Sequence, residues 1–203
     1  MVYVGSITTI PIPRVIETHL DGEDNETGWI LMEFIPGKQL GEAWPTLRLT
    51  ARTRAITELR SYLEQLHGIR PPSPGWIGSC LGGPAYDHRL DNISTCGPFA
   101  SVAPIKNYPR PERAAYYRNR LSEDFPIVFA HADISWENIL VNPMTGAITG
   151  IIDWEMAGFW PEWWEYRKAL FASRSKSWWI DIVDQIMPES KAVTDIDMDL
   201  EMY

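Results

Sequence analysis

The segment that most constrains the fold is the block at 128–155, which reads VFAHADISWENILVNPMTGAITGIIDWE. Its two short apolar runs are separated by the turn sequence NPMTG, and this pattern predicts an antiparallel pair of strands. Polar side chains flank these runs: His131, Asp133 and Asn138 precede the first, and Asp153 ends the second. The block is therefore either a centre for phosphate transfer or a well-packed hairpin that carries a few polar residues.

Phosphoryl transfer would explain why these residue types stand at this spacing. The reaction needs a carboxylate that orients a hydroxyl and accepts its proton, together with hard oxygen ligands for Mg²⁺. In that interpretation Asp133 is the base, Asn138 and Asp153 hold the metal, and the ring of His131 braces the loop. A lone aspartate at a strand end is usually a cap or turn residue. The full pattern, His-x-Asp-x4-Asn followed by a Thr-Gly turn and Ile-Ile-Asp, is far more specific and favours the phosphate-transfer centre.

The rest of the chain predicts short strands and longer helices. Residues 11–20 and 29–35 are expected to form two strands of a hairpin, the second of them buried, with a polar turn at 21–28. Apolar residues at helical spacing predict a helix over 48–67. The remaining elements are expected in this order: a loop-rich segment at 71–111, a helix at 111–122, strands at 126–130, 138–142 and 148–153, and helices at 161–172, 176–187 and 192–202.

Composition and charge exclude several classes of function. The chain has 203 residues, 45% of them hydrophobic, which is enough to bury a substantial core. A net charge of −9 argues against binding to nucleic acid, which usually needs a basic face. No apolar run is long enough for a membrane span, and the first residues do not resemble a signal peptide. Two cysteines are too few for a disulfide scaffold, so we expect a cytoplasmic protein.

Taken together, these motifs resemble the aminoglycoside phosphotransferase and choline kinase-like family, which shares the protein-kinase fold; the fungal small-molecule branch is the most similar. The resemblance rests on FAHADISWENILVNPMTGAITGIIDWEMAGFWPEWWEY at 129–166, ILMEFIPGKQL at 30–40 and WIGSCLGGPAYDHRL at 76–90. It implies a kinase-like α+β fold. A truncated N-terminal β lobe and the hinge would occupy 1–36, and a helical C-terminal lobe with a short β-hairpin catalytic region would occupy 37–203.

The resemblance also implies roles for individual residues. Asp133 would be the catalytic base and His131 the histidine that braces its loop. Asn138 and Asp153 would be the Mg²⁺ ligands. The reaction would transfer the γ-phosphate of ATP to a hydroxyl of a small molecule.

The segment MEFI at 32–35 resembles the hinge that holds the adenine of ATP. The carbonyl of Glu33 and the amide of Ile35 would be the adenine partners, with Met32 at the back of the pocket. By spacing alone, the same residues form a plain buried strand.

The sequence GFWPEWWEY at 158–166 borders the acceptor site in related enzymes. Trp160, Glu162 and Trp163 could hold a cationic or aromatic substrate through cation–π and charge contacts. Core packing of a helix at 161–172 is at least as good an account of each of them. The acceptor is therefore expected to be a small molecule, cationic or hydroxylated, and its identity stays open.

Two departures from the family pattern bear on activity. Ala132 stands where the family usually has glycine, and we expect this change to be tolerated. More seriously, the residues before the hinge contain no glycine-rich phosphate loop, and no lysine occurs before Lys38. Because positioning and electrostatics supply most of phosphoryl-transfer catalysis, we expect the 203-residue chain by itself to be a weak or inactive kinase.

Three accounts of the missing lobe are open. The chain could be a fragment of a full kinase, a degenerate pseudokinase that only binds, or a relative recruited to bind or transform a small molecule without ATP. A two-stranded remnant would also leave an exposed sheet edge, which favours self-association.

Overall fold

The computed structural model describes residues 1–19, 28–87, 95–100, 125–171 and 176–190. The chain forms two compact units, one made of Met1–Glu58 with Trp136–Ile152 and the other of Leu59–Ser135 with Asp153–Tyr203. The helices predicted at 111–122 and 192–202 lie outside the described residues, as does nearly all of the turn at 21–28. No helix in the described ranges is long and apolar enough to cross a membrane.

The described elements are short, apart from one long helix. In chain order they are α1 (Val2–Ile7), β1 (Val15–His19), β2 (Trp29–Met32), β3 (Lys38–Gln39), α2 (Leu40–Ala43), a 3-10 turn (Trp44–Thr46), α3 (Leu49–His67), β4 (Ala85–Tyr86), β5 (Thr95–Cys96), β6 (Ile127–Ala130), β7 (Ile139–Val141), β8 (Ile148–Ile151), β9 (Gly158–Pro161), α4 (Trp163–Phe171), α5 (Ser177–Ile186) and a second 3-10 turn (Pro188–Ser190).

The first unit contains the predicted hairpin of the central block. Strands β7 and β8 pair antiparallel, and β3 adds to the other edge of β7. The turn between β7 and β8 is built by Asn142, whose side-chain oxygen accepts hydrogen bonds from the backbone amides of Met144 and Thr145. Gly146 closes the turn at φ +70°, a backbone shape that favours glycine.

The hairpin is attached to α3 by one half-buried carboxylate and one close backbone contact. The backbone amide of Ile148 donates to Oε2 of Glu58 at 2.8 Å. A Cβ at Gly146 would lie 2.0 Å from the backbone oxygen of Ala51, so only glycine lets the turn pack on the helix. The turn and the amino end of β8 are thereby fixed against α3.

Strands β1 and β2 pair antiparallel, which confirms the predicted N-terminal hairpin. The expectation that residues 29–35 form a buried strand is wrong, because all four residues of β2 are exposed. Among the described residues, β1 is the one strand that pairs with β2. Large apolar side chains therefore stay in contact with water, and Phe34 is 86% exposed.

In the second unit, strand β6 pairs with β9, a strand that the sequence did not predict. The pairing runs from Ile127 opposite Pro161 to Ala130 opposite Gly158. Gly158 permits close packing here, since a Cβ on it would lie 2.9 Å from the backbone oxygen of Gly78. The core around this pair is a cluster of buried apolar residues: Ile77, Ala85, Ala130, Ala132, Met156, Trp160, Trp163 and Trp164.

Helices α4 and α5 confirm the predictions at 161–172 and 176–187, and α3 confirms the one at 48–67. Helix α4 differs from an ordinary surface helix because every residue from Trp163 to Leu170 is buried. Three of these residues carry charge, namely Glu165, Arg167 and Lys168. Buried charges are costly unless they are paired or hydrogen-bonded, so each needs a partner.

Candidate active site

The loop that follows β6 carries His131 and Asp133. The His131 ring is fully buried and packs edge-on against Trp154, with ring centroids 4.5 Å apart. Its Nδ1 atom accepts a hydrogen bond from the backbone amide of Asp133 at 3.2 Å. The ring therefore contacts the backbone beside Asp133, and the Asp133 side chain is half-buried.

Glu165 is the residue that sequence reasoning missed. Its carboxylate, in the first turn of α4, accepts hydrogen bonds from the backbone amide of His131 at 2.6 Å and from that of Ala132 at 3.0 and 3.1 Å. Charge-assisted hydrogen bonds of this kind are stronger than neutral ones. One buried carboxylate thus fixes the start of the loop on which Asp133 lies.

The ionisation of Glu165 is unusual for a glutamate. Burial raises its pKa to about 7, and the nearby charge of Asp133 adds to the rise. The backbone amides of Ala132, His131 and Ile134 act in the opposite direction, because they stabilise the carboxylate. Glu165 therefore changes charge near neutral pH, at the point where it holds the loop.

A sequence signal for Glu165 existed, although it was weak. The residue lies inside the run Trp163, Trp164, Glu165, Tyr166, where an acid interrupts aromatic side chains. Helical periodicity identifies a buried face only when the opposite face is polar and exposed. In α4 every side of the helix is buried, so periodicity gives no signal for Glu165. The partner amides are more than thirty positions earlier in the chain.

The backbone is strained at two positions near the site. Ala132 has φ +61° and Asp153 has φ +65°, and both are non-glycine residues in the left-handed region. Alanine, which we expected to be tolerated at position 132, is accommodated there in a backbone shape that a Cβ disfavours by about 1–2 kcal/mol. The two hydrogen bonds from the Ala132 amide to Glu165 hold it there.

Asn138 belongs to the first unit and lies at the start of β7. Its side chain is buried, and its backbone carbonyl accepts a hydrogen bond from the amide of Ile152 at 3.0 Å. Just upstream, Trp136 packs against Gly41, where a Cβ would approach the indole to 2.5 Å. Packing and hairpin register therefore fix where Asn138 lies in that unit.

Asp153 belongs to the second unit and is exposed. Carboxylate and amide oxygens suit Mg²⁺, which takes one or two protein oxygen ligands and fills its other positions with water and substrate phosphates. Within the described ranges, no group of three histidine, cysteine, aspartate or glutamate side chains could form a metal cage. The amide of Asn138 and the carboxylate of Asp153 have the oxygen chemistry that Mg²⁺ prefers, and their role as its ligands stays a prediction.

The predicted hinge lies in the first unit, after β2. The amide of Glu33 donates to the backbone oxygen of Arg14 at 2.9 Å, which extends the pairing with the β1 segment. In the described structure, the carbonyl of Glu33 and the amide of Ile35 make no backbone hydrogen bond. One donor and one acceptor are therefore available two residues apart. Met32 is 40% exposed rather than buried.

The three predicted substrate residues have different surroundings. Trp160 is fully buried, stacks on Trp164 at 4.9 Å and donates its indole N–H to the backbone oxygen of Met156. Trp163 is also buried and packs edge-on against Phe125. The structure therefore places both tryptophans in the core. Glu162 is half-buried and lines a cavity in the second unit.

Comparison with known proteins gives the chain a context. Residues 5–184 match the family described as "Phosphotransferase enzyme family". The aminoglycoside 3'-phosphotransferase of Streptomyces fradiae is 28% identical over 162 residues, which cover 71% of this chain and 52% of the relative. That of Streptomyces ribosidificus is 28% identical over 153 residues, with the same coverage. The chain thus spans about half the length of the curated relatives it matches.

Solved structures agree on the fold. An aminoglycoside 3'-phosphotransferase of type VIII is 18% identical, with a TM-score of 0.56 over 96% of this chain and 70% of that one. The GDP and kanamycin complex of an aminoglycoside 2''-phosphotransferase is 13% identical, with a TM-score of 0.62 over 97% of this chain and 68% of that one. These similarities confirm the kinase-like α+β fold that the resemblance implied.

Proposed function

The chain belongs to the phosphotransferase enzyme family, and from that premise we propose that it descends from enzymes that transfer the γ-phosphate of ATP to a hydroxyl of a small molecule. The observation that carries the proposal is the braced loop, where Glu165 and His131 fix the backbone around Asp133. Asp133 is the proposed base, since a half-buried carboxylate on a rigid loop can orient a hydroxyl and accept its proton.

Asn138 and Asp153 are the proposed ligands of Mg²⁺, and the hinge residues Glu33 and Ile35 the proposed partners of adenine, with Met32 beside it. Magnesium would neutralise the charge that develops on the transferred phosphate. The available carbonyl of Glu33 and amide of Ile35 match the acceptor and donor that a purine edge requires. Related structures hold ADP or GDP, so the base preference is part of the test.

The proposed acceptor is a small hydroxylated molecule that carries amines. Relatives of this fold have been solved with kanamycin, streptomycin and hygromycin B. Glu162 is a candidate partner for an amine of the acceptor because its side chain is half-buried and lies near a second carboxylate, that of Glu189. We leave Trp160 and Trp163 out of the proposed acceptor site because their side chains have almost no accessible surface.

For the 203-residue chain by itself, we propose that transfer is weak. The residues before Trp29 contain no lysine and no glycine-rich loop. The phosphates of ATP would therefore lack the positive charge and backbone amides that phosphotransferases use to bind them. The alternative is a non-catalytic module, a pseudokinase or a recruited enzyme of another kind, that binds a small molecule without ATP.

Calorimetry followed by a transfer assay distinguishes these functions. We expect Mg·ATP or Mg·GTP to bind, and prolonged incubation with kanamycin, streptomycin or hygromycin B to give slow phosphorylation. Asp133→Asn should lower the rate by about 10²–10⁴-fold, the usual contribution of a general base. The exposed Asp181→Asn makes the same chemical change elsewhere and should have no effect. Binding of the antibiotic without any nucleotide binding would reject the kinase and favour the binding module.

A further inference from the structure

The carboxylate of Glu165 is surrounded by backbone donors. Its Oε2 atom accepts hydrogen bonds from the amides of His131 at 2.6 Å and Ala132 at 3.1 Å, and its Oε1 atom lies 3.0 Å from the Ala132 nitrogen. The amide of Ile134 also acts on it as a hydrogen-bond donor. An ionised carboxylate only accepts hydrogen bonds, whereas a neutral acid must also donate one. These surroundings therefore match the anion better than the neutral acid.

The strained backbone of the loop depends on the same hydrogen bonds. Ala132 has φ +61°, a left-handed shape that a Cβ disfavours, and its amide donates to both oxygens of Glu165. Hydrogen bonds to an ionised acceptor are about twice as strong as those to a neutral one. Loss of the charge on Glu165 would therefore weaken the contacts that hold Ala132 in this shape, directly before Asp133 in the chain.

The cationic residues that follow Glu165 in α4 have other partners. Nζ of Lys168 lies 2.6 Å from Oδ1 of Asp87. The guanidinium of Arg167 lies 5.2 Å from the centre of the Trp164 ring. Among the ion pairs of the described residues, none includes Glu165. The backbone amides of the loop are therefore the main groups that stabilise its negative charge.

Opposing effects keep both forms of Glu165 accessible near neutral pH. Burial and the like charge of Asp133 raise its pKa to about 7, although the amides of the loop act in the opposite direction. His131 is the other titratable group of the loop, and its Nδ1 atom accepts a hydrogen bond from the amide of Asp133 at 3.2 Å. A small change in pH around neutrality therefore changes the fraction of Glu165 that carries charge.

We propose that Glu165 is a positioning residue for Asp133: its ionised form holds the loop in the strained shape, and its protonation releases the loop. The inference rests on the proposed function, in which Asp133 is the base. Glu165 acts through the backbone and does not need to contact the substrate. The fold is kept when the proton binds, because burying a neutral acid costs less than burying an anion. Transfer should therefore slow as pH falls below neutrality while the chain stays folded.

An NMR titration of the whole chain tests the hold on the loop without any substrate. We expect the amide resonances of His131 and Ala132 to shift between pH 8 and pH 6, with a midpoint of about 7. The carboxyl carbon of Glu165 should share that midpoint, which distinguishes its titration from that of the His131 ring. Glu165→Gln should abolish the shift of Ala132. Glu64→Gln changes an exposed glutamate of the same unit and should titrate like the parent.

The amide resonances of the parent decide the matter even if Glu165→Gln does not fold. The proposal is overturned if the Ala132 amide does not shift in this range, or if it shifts with a midpoint that differs from that of the Glu165 carboxyl carbon.

The pH profile of the transfer rate tests the consequence for catalysis. With saturating Mg·ATP and kanamycin, the ratio of kcat for the parent to kcat for Glu165→Gln should be about tenfold lower at pH 6 than at pH 8, as expected for one group with a midpoint of about 7. The corresponding ratio of KM values should stay constant. A merely structural role predicts a kcat ratio that does not depend on pH, and that result overturns the proposal. Amides that titrate in a chain without transfer at any pH would reject the proposed function, while they would support the hold of Glu165 on the loop.

Discussion

Glu165 is one residue on which the local geometry of the second unit depends. Its carboxylate is fully buried, yet it accepts hydrogen bonds from the two amides that begin the loop of Asp133. The cost of burying a carboxyl group is offset by these donors only while they point at it. The ionisation of Glu165, in α4, is therefore coupled to the conformation of the loop that begins at His131.

The raised pKa of Glu165 predicts a specific pH dependence of stability. Between its ordinary value of 4.5 and about 7, the folded chain holds a proton on Glu165 that the unfolded chain has lost. Its contribution to the free energy of unfolding is therefore fully present below pH 4.5 and is lost as pH rises to about 7. At about 1.36 kcal/mol per pKa unit, the loss is on the order of 3 kcal/mol.

Glu165→Gln should remove this dependence. We expect the difference in unfolding free energy between the parent and the variant to fall as pH rises from 4.5 to about 7, measured by urea unfolding at several pH values. Glu17→Gln, at an exposed site, should leave the slope of the parent unchanged. Parallel curves for the parent and Glu165→Gln would show that Glu165 does not titrate in this range.

At the scale of elements, the turn between β7 and β8 depends on one glycine. Gly146 has φ +70°, and a Cβ there would lie 2.0 Å from the backbone oxygen of Ala51 in α3. Gly146→Ala should therefore destabilise the chain by about 2 kcal/mol or more, because backbone strain adds to a steric clash. Gly5→Ala is the matched control, since a Cβ at that position would have nothing within 4 Å. Thermal unfolding of both variants measures the difference.

A second contact between elements is the buried ion pair of Asp87 and Lys168. Nζ of Lys168 lies 2.6 Å from Oδ1 and 2.5 Å from Oδ2 of Asp87, and neither side chain is exposed. The pair joins the end of β4 to α4. Loss of one partner would deprive the other, which is buried, of this opposite charge, and such a loss typically costs about 3–5 kcal/mol.

Lys168→Met tests the pair, because methionine has a similar length and no charge. We expect a loss of about 3–5 kcal/mol in unfolding free energy, and recovery of part of it when Asp87→Asn is added. Lys38→Met, at an exposed lysine, should change stability by less than about 0.5 kcal/mol. Equal losses for Lys168→Met with and without Asp87→Asn would mean that packing, rather than charge, makes the contribution.

At the scale of the whole molecule, the hairpin of β1 and β2 presents exposed apolar side chains. Ile30 is 54% exposed and Leu31 is 48% exposed, and they alternate between the two faces of β2. Exposed apolar strands with open edges favour pairing with another chain. We therefore predict that the 203-residue chain associates with itself through β2.

Sedimentation velocity over a range of concentrations measures this association. Ile30→Lys/Leu31→Lys should shift the chain towards the monomer. Leu49→Lys/Leu81→Lys makes the same kind of change at two other exposed leucines and should leave the association unchanged. A chain that stays monomeric at all concentrations would contradict the prediction.

The sequence by itself determined the elements that local rules govern. The hairpin at β7 and β8 followed from two apolar runs and a turn that contains Asn142 and Gly146, and α3, α4 and α5 followed from apolar spacing and length. The motif around Asp133 also predicted the phosphotransferase family, which the family match confirms. In each case the information lies within a short stretch of chain, so periodicity and turn chemistry are sufficient.

Tertiary structure decided which side chains are buried and what contacts them. The sequence predicted a buried strand at 29–35, but β2 is exposed, because burial depends on what packs against a strand and not on its composition. It missed β9, the role of Glu165 and the pair of Asp87 with Lys168. Each of these depends on partners far away in the chain, such as the amide of His131, which the fold alone brings to α4.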